Sequence, residues 1–335
     1  MSFLDNKLTV RSPADLVTAV PYLLGFRPSD GSLVVLASRD RRVVFAARAD
    51  LPAPGAPASH LFDLAANLVP VVRRQQPITH IMLIGYGDPE HVDPAVGSVG
   101  DAFTASGMTI RQLLRVTGTR VYNLNCDNPA CCPPQGTPLD PTSLVAVQAT
   151  AAGLVALPDR AAVAARFAPV GGAARDGIRR ATREAITRLK AVSAAGNTGV
   201  DEAGAHAVRD ALRQHDGGKR LTDDEVAWLT VLLKRPSVRD VAVDLTEPHD
   251  RHVTFWADIT RRAHEPLVPA PATLLALTAW RCGDGALAAM AAHRALQVDP
   301  AYQLADLLLQ SLHGGLPPSV FEQAIAGART NPSTR

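Results

Sequence analysis

The sequence predicts an α/β fold: an N-terminal mixed β-sheet flanked by helices, followed by an all-α C-terminal region with a tetratricopeptide-like helical hairpin. Strand and helix patterns alternate up to about residue 140, and helical periods alone follow. Aromatic residues make up 4% of a chain that is 47% hydrophobic, so Leu, Val and Ala must fill the core, which favours close helix packing. We therefore expect a mixed α/β domain over residues 1–140, a helical region over 141–328 and a disordered tail over 329–335.

The first elements are a helix and a β-hairpin. Ser12 is a typical N-cap, Pro13 suits the first helical position, and Pro21 is expected to end or kink this helix. Two short runs rich in β-branched and small residues, 33–37 and 43–47, are joined by a charged segment. This pattern is typical of a hairpin.

A helix, a buried strand and a second hairpin follow. The helix is expected over 59–74 and the strand over 78–84, where a continuous apolar run is typical of a strand buried on both faces. The second hairpin pairs 110–116 with 120–124 across a Thr117-Gly118 turn.

Beyond Pro141 the pattern is helical. Residues 193–204, rich in Gly, Ala and Ser, are expected to form a flexible connection. Thr222 and Glu225 have the spacing of a capping box, in which each side chain satisfies the other's exposed amide. A helix is therefore predicted to begin there.

The clearest helical signal lies in residues 274–300. Ala276, Ala288 and Ala295 would let two antiparallel helices approach closely, and Gly283 permits the turn between them. A tetratricopeptide-type hairpin has such residues at these positions, but no second copy lies about 34 residues away in either direction. We therefore predict one helical hairpin packed on its neighbours, in a region whose surface suits a protein partner.

Composition restricts location and partners. A formal net charge of +2 is too small to predict a polyanionic partner, so nucleic acid is not expected. No apolar run approaches the about 18 residues of a membrane span, and the first residues lack the apolar core of a secretory leader. We expect a cytoplasmic protein with no membrane partner, and homo-oligomerisation stays open.

Three of the four cysteines, Cys126, Cys131 and Cys132, crowd a proline-stiffened loop. A structural zinc ion requires four N or S ligands, usually in paired spacings, and adjacent cysteines seldom both reach one metal. The fourth ligand would have to be Cys282 or a distant histidine. Zinc therefore competes with two other interpretations of this loop.

The second interpretation is a disulfide from Cys126 to Cys131 or Cys132, because the short separation brings their Cα atoms within bonding range. A reducing cytosol opposes a permanent disulfide, so this interpretation is a thiol redox sensor. In the third interpretation the thiols pack the loop against the sheet, since a free cysteine behaves as a small hydrophobe. We favour this structural role.

A second candidate site lies where the buried strand ends and a helix is expected to begin. Its residues are Gly85, Gly87, Asp88, Glu90, His91 and Asp93. Open α/β sheets bind ligands at this edge, where the glycines would admit a cofactor and His91 with the carboxylates would do acid–base or metal work. The chain has neither a dinucleotide fingerprint nor a phosphate loop, so an ordinary polar loop is the competing interpretation.

Two charged clusters complete the candidates. Basic residues crowd one predicted helix at Arg175, Arg179, Arg180, Arg183, Arg188 and Lys190. Acidic residues interrupt them and no aromatic residue interleaves them, so a solvated face explains them better than binding to phosphate backbones. His249 and His252, with His264, lack the glutamate of a zincin-type motif and are also interpreted as helix surface.

Three separated motifs resemble one family. Residues 13–16 (Pro-Ala-Asp-Leu) with 21–26 (Pro-Tyr-Leu-Leu-Gly-Phe) resemble its opening, 126–136 resembles its Cys-Cys-Pro region, and 279–285 (Ala-Trp-Arg-Cys-Gly-Asp-Gly) resembles its C-terminal signature. This actinobacterial family is called domain of unknown function forty-one ninety-two, and the likeness covers about residues 8–320. The resemblance implies an actinobacterial source and supplies neither an activity nor a catalytic residue.

We expect a non-enzymatic binding or regulatory protein, because no complete catalytic constellation is present and the helical region offers a surface for a protein partner. The alternative is a hydrolase or transferase that acts on a phosphorylated or nucleotide-like small molecule at residues 85–93. A thiol redox sensor or zinc-binding protein that uses the cysteine loop is the third hypothesis.

Overall fold

The computed structural model of the protein describes residues 8–75, 77–194 and 197–323. These residues form two compact units, the first made of residues 8–162 with 313–323 and the second of residues 163–312. The first unit contains the sheet, and the second is helical. The predicted tail over 329–335 lies outside the described residues.

In the described chain, a six-stranded mixed sheet forms the centre of the first unit, in the order β2-β1-β3-β4-β5-β6. Its strands are β1 (Ser32–Arg39), β2 (Arg42–Asp50), β3 (His80–Tyr86), β4 (Ile110–Thr117), β5 (Arg120–Asn123) and β6 (Thr137–Pro138). The pairs β1–β2 and β4–β5 are antiparallel hairpins, which confirms both hairpin predictions. Because β3 and β4 run parallel, a helical crossover must connect them.

Helices cover both faces of this sheet. They are α1 (Pro13–Leu24), α2 (Ser59–Arg73) and α3 (Pro89–Ala105). Leu33 and Val35 of β1 belong to the core that contains residues of α2 and α3, whereas Val34 and Leu36 belong to the core that contains residues of α1. Alternate side chains of β1 thus enter opposite cores, as expected for a strand buried on both faces.

Helix α1 does not end at Pro21, which lies inside it. The helix continues to Leu24 and is terminated by Gly25, whose φ of 77° is the left-handed conformation that glycine adopts without strain. Proline removes one backbone hydrogen bond, but Val17 and Val20 are buried in the core of the sheet and hold the surrounding turns in place.

The remaining described helices follow the sheet. They are α4 (Leu144–Ala151), α5 (Arg160–Ala165), α6 (Gly172–Ala194), α7 (Asn197–Asp216), α8 (Asp223–Leu232), α9 (Pro236–Leu245), α10 (Asp250–Arg262), α11 (Pro269–Arg281), α12 (Gly285–Val298) and α13 (Gln303–His313). None of the described helices has the length and apolarity that crossing a bilayer requires.

The predicted flexible connection over 193–204 is wrong, because α6 extends through Ala194 and α7 begins at Asn197, with residues 195–196 outside the described chain. Gly204 lies inside α7, where a Cβ atom would come within 2.2 Å of Val238 Cγ2 on α9. This glycine therefore serves close helix packing and not flexibility.

Two local predictions in the second unit are confirmed. Thr222 N donates to Glu225 Oε2 at 2.8 Å and Glu225 N donates to Thr222 Oγ1 at 3.3 Å, which forms the capping box at the start of α8. Helices α11 and α12 form the predicted hairpin, with Gly283 in the turn at φ 85° and Ala276 and Ala288 fully buried.

Candidate metal-binding site

The cysteines lie in the loop between β5 and β6, here called the cysteine loop (residues 124–136). Asn125 fixes its start, because the Asn125 Oδ1 atom accepts a 3.0 Å hydrogen bond from Leu113 N on β4. Arg120 fixes its end, because NH1 donates to the carbonyls of Gln135 and Gly136 at 3.1 and 2.8 Å. Both ends of the loop are therefore anchored to the sheet.

A tight turn at Asn128 gathers the thiols. The Asn128 carbonyl accepts hydrogen bonds from the backbone N–H groups of Cys131 and Cys132 at 3.2 and 2.8 Å. The Sγ atoms of Cys126, Cys131 and Cys132 consequently lie within 4.8 Å of one another, with Cys126 Sγ 3.6 Å from Cys131 Sγ. Although adjacent cysteines seldom both reach one metal, the Sγ atoms of Cys131 and Cys132 both belong to this group.

Hydrogen bonding distributes charge unevenly among these thiols. The backbone N–H of Asn128 donates a hydrogen bond to the Cys126 sulfur, and the thiols of Cys132 and Cys131 donate to it as well. These hydrogen bonds, of which the first has the largest effect, lower the pKa of Cys126. Because the Cys132 thiol donates a hydrogen bond to the Cys126 sulfur, the pKa of Cys132 is raised to about 11. Negative charge is thus favoured on Cys126 and the proton on Cys132, the pattern of a reactive, solvent-accessible thiol group.

The cluster offers three sulfur ligands to a soft metal ion. Among the described residues, no fourth Cys, His, Asp or Glu side chain joins this group. Cys282 belongs to the second unit, at the end of α11, where burial raises the pKa of its thiol to about 11. The described part of the first unit therefore offers three potential ligands, one fewer than a tetrahedral site requires.

A stack of side chains positions the end of the cysteine loop. Asp93 of α3 pairs with Arg115 of β4, and the Arg115 guanidinium lies over the Tyr122 ring at 4.2 Å from its centre. The same ring packs against Gly136, where a Cβ atom would come within 2.8 Å of Tyr122. Sequence inspection missed Tyr122 and Gly136, and only the Asn-Pro pair at 128–129 signalled the turn.

We expect Gly136→Ala to disturb the cysteine loop more than Gly118→Ala. Both glycines have positive φ, 74° and 58°, so alanine meets backbone strain at each, but nothing lies within 4 Å of a Cβ at Gly118. The clash with Tyr122 should lower the stability of Gly136→Ala by a further about 1–3 kcal/mol. Urea unfolding measures this difference, and the reaction rate of the loop thiols with a chromogenic disulfide should rise only in Gly136→Ala. Equal stabilities and rates for the two variants would refute the packing role.

The second predicted site is a cavity of about 410 Å³ at the N-terminus of α3. Its lining includes Pro52, Gly55, Leu61, Asp88, Glu90 and His91. His91 Nε2 donates to the Pro52 carbonyl at 2.7 Å, and Asp93 does not line the cavity because it pairs with Arg115. The lining carries two carboxylates and neither Arg nor Lys, a charge that repels a phosphorylated substrate.

The glycines of this segment serve packing in the described structure. A Cβ at Gly85 would lie 2.3 Å from Val92 Cγ1, so the bare Cα lets α3 approach β3. Gly87 adopts a φ of 132°, which an L-residue rarely takes, at the turn from β3 into α3.

The sequence was compared with known families and proteins. The model of the family domain of unknown function 4192 (DUF4192) matches residues 13–319. The chain belongs to this family. The match spans all three motifs that carried the resemblance, whereas no curated protein and no solved structure matches the chain.

In this DUF4192 protein, the histidines predicted as helix surface have structural partners. His249 caps α10, where its Nδ1 accepts a hydrogen bond from Arg251 N. His252 is buried, which contradicts the surface prediction. Its Nδ1 accepts a 2.8 Å hydrogen bond from Glu247 N. Burial lowers the pKa of His252, so the neutral ring is favoured.

The basic residues predicted as a solvated face lie on α6. Arg175, Arg179, Arg180, Arg183, Arg188 and Lys190 are all exposed. Arg188 lies over the Trp228 ring at 4.1 Å. The exposure of these six side chains agrees with the expected solvated face, whereas Ile178, Ala181 and Ala185 form the buried face of the same helix.

Proposed function

We propose that this DUF4192 protein is a non-enzymatic, zinc-binding regulatory protein in which Cys126, Cys131 and Cys132 hold one Zn²⁺ ion. The observation that carries the proposal is the convergence of the three Sγ atoms within 4.8 Å. Tetrahedral coordination with Zn–S distances of about 2.3 Å requires sulfur atoms roughly 3.8 Å apart. The Cys126–Cys131 separation of 3.6 Å is already close to this value, so small side-chain rotations suffice.

The chemistry of the ligands favours a soft metal. Thiolates select Zn²⁺ and Cu⁺ over Mg²⁺ and Ca²⁺, and the N–H donor from Asn128 to Cys126 supplies the hydrogen bond that stabilises a metal-bound thiolate. The Asn128 carbonyl also accepts hydrogen bonds from the backbone N–H groups of Cys131 and Cys132 and so holds both residues in the turn. The loop is therefore organised for metal binding by its own backbone.

The open fourth position favours regulation over catalysis. A hydrolytic zinc ion needs a general base beside its water, and no described His, Asp or Glu side chain joins the three thiols. Cys131 is exposed, so a metal held by the three thiols would be accessible to solvent or to a ligand from a partner protein. We therefore assign the site to partner-dependent metal binding.

Metal analysis of the purified, reduced protein tests this function. We expect one zinc ion per chain by mass spectrometry, and a thiolate-to-metal charge-transfer band when Co²⁺ replaces it. Because a thiol with a pKa of about 11 must lose its proton, zinc binding should release protons and weaken as the pH falls. A protein with neither bound zinc nor the Co²⁺ band would contradict the proposal.

A second candidate function is a dithiol redox switch, favoured by the 3.6 Å separation of Cys126 and Cys131 and by the lowered pKa of Cys126. Attack of the Cys126 thiolate on a peroxide gives a sulfenic acid and hydroxide, and condensation with a neighbouring thiol gives a disulfide and water. Metal-free protein treated with peroxide should lose about two thiols per chain and regain them with a reductant. An unchanged thiol count would exclude this function.

A further inference from the structure

A second binding site lies in the helical unit, where three arginines without carboxylate partners line one groove. The groove is formed by the start of α6, the end of α10 and the segment that follows α10. Its lining includes Arg175, Ile178, Arg179, Arg261, His264 and Glu265. Arg175 and Arg179 are one helical turn apart, and Arg261 comes from a different helix.

The positive charge in this groove is not neutralised by the described protein. Among the described residues, no carboxylate forms an ion pair with Arg175, Arg179 or Arg261. Asp176, which follows Arg175 on α6, does not pair with them either. The acid that lines the groove, Glu265, is held by Arg294 at 2.9 Å. The three guanidinium groups therefore share a groove in which none of them forms an ion pair with a carboxylate of the described residues.

Two further features favour an anion. Pro169 and Val170, which precede α6, and Arg175 in its first turn all line the groove, so the positive end of the helix dipole lies beside it. His264 lines the same groove, where burial and then the charge of Arg179 lower its pKa, Glu265 opposes them and Arg175 lowers it further, so these charged groups lie close to the imidazole. Four side chains from three segments of the chain, α6, α10 and the residues after α10, thus line one groove.

We propose that this groove binds the phosphate group of a small phosphorylated molecule. Guanidinium groups bind phosphate oxygens in bidentate pairs, and a dianion with several oxygens can contact arginines from two helices at once. Nucleic acid fits less well, because no Phe, Tyr or Trp among the described residues lines the groove to stack on a base. The site lies in the second unit and does not depend on the cysteine loop.

Calorimetric titration with inorganic phosphate and pyrophosphate at low salt tests the site, with R175Q/R179Q as the binding variant. The matched control is R180Q/R183Q, which removes the same charge from exposed positions of the same helix that do not line the groove. We expect saturable binding that weakens about 10-fold or more in R175Q/R179Q and changes little in the control. R261Q should weaken binding as well, because its guanidinium comes from α10.

Several outcomes would overturn the proposal. Equal losses in the two double variants would show diffuse attraction to a basic helix and not a site. Binding of malonate as tight as that of pyrophosphate would refute the preference for phosphate. Absence of saturable binding by the wild-type protein would refute the site itself. Since all substituted residues are exposed, circular dichroism should show unchanged folding.

Discussion

Replacing any one of Cys126, Cys131 and Cys132 with Ser is expected to weaken zinc binding by about 100-fold or more. Each substitution removes one of three thiolates, and the remaining pair cannot enclose the metal because no fourth ligand from the described residues joins the group. A hydroxyl oxygen is smaller and harder than sulfur and remains protonated at neutral pH, so it is a poor ligand for Zn²⁺. Competition with a chromophoric zinc chelator measures the affinity of each variant.

The matched control for these variants is Cys282→Ser. Its thiol lies in the second unit and is protonated through burial, so its loss should leave zinc affinity unchanged. If one loop variant kept wild-type affinity, that cysteine would not be a ligand. If Cys282→Ser lost zinc as strongly as the loop variants, Cys282 would be the missing fourth ligand.

Gly85→Ala is expected to lower the free energy of unfolding by about 1–3 kcal/mol. Its Cβ would lie 2.3 Å from Val92 Cγ1 and 2.8 Å from Val96 Cγ2, both on buried, β-branched side chains of α3. These side chains have few alternative rotamers, so α3 must move away from β3. Urea unfolding followed by circular dichroism measures the change.

The control for this prediction is Gly97→Ala on α3, the helix that packs against Gly85. Nothing lies within 4 Å of a Cβ at Gly97, and alanine in a helix interior should stabilise the protein by up to about 1 kcal/mol. Tryptophan fluorescence, carried by residues of the second unit at 228, 256 and 280, separates an effect on the first unit from a global one. A Gly85→Ala protein as stable as wild type would contradict the packing role, and the hypothesis that Gly85 is a ligand-binding glycine would stand.

The strand-end site shows which of its residues a linear sequence pattern can predict and which it cannot. The sequence placed Asp88, Glu90 and His91 at the start of a helix, and they line one cavity there. It did not separate Asp93 from them, because the partner that engages Asp93 is Arg115 on β4. That pairing depends on the register of two parallel strands, which no local spacing records.

The amino-acid sequence by itself determined the α/β class, both hairpins, the capping box at Thr222, the α11–α12 hairpin and membership of the DUF4192 family. These features depend on periodicity and on contacts between residues three or four positions apart, which are visible in a linear chain. The tertiary structure alone decided that three thiols converge around the Asn128 turn and that Arg175 and Arg179 face Arg261. The arginines converge through the packing of helices that are distant in sequence, whereas the thiol positions depend on the conformation of the Asn128 turn and on its anchors to the sheet, which residue spacing does not record.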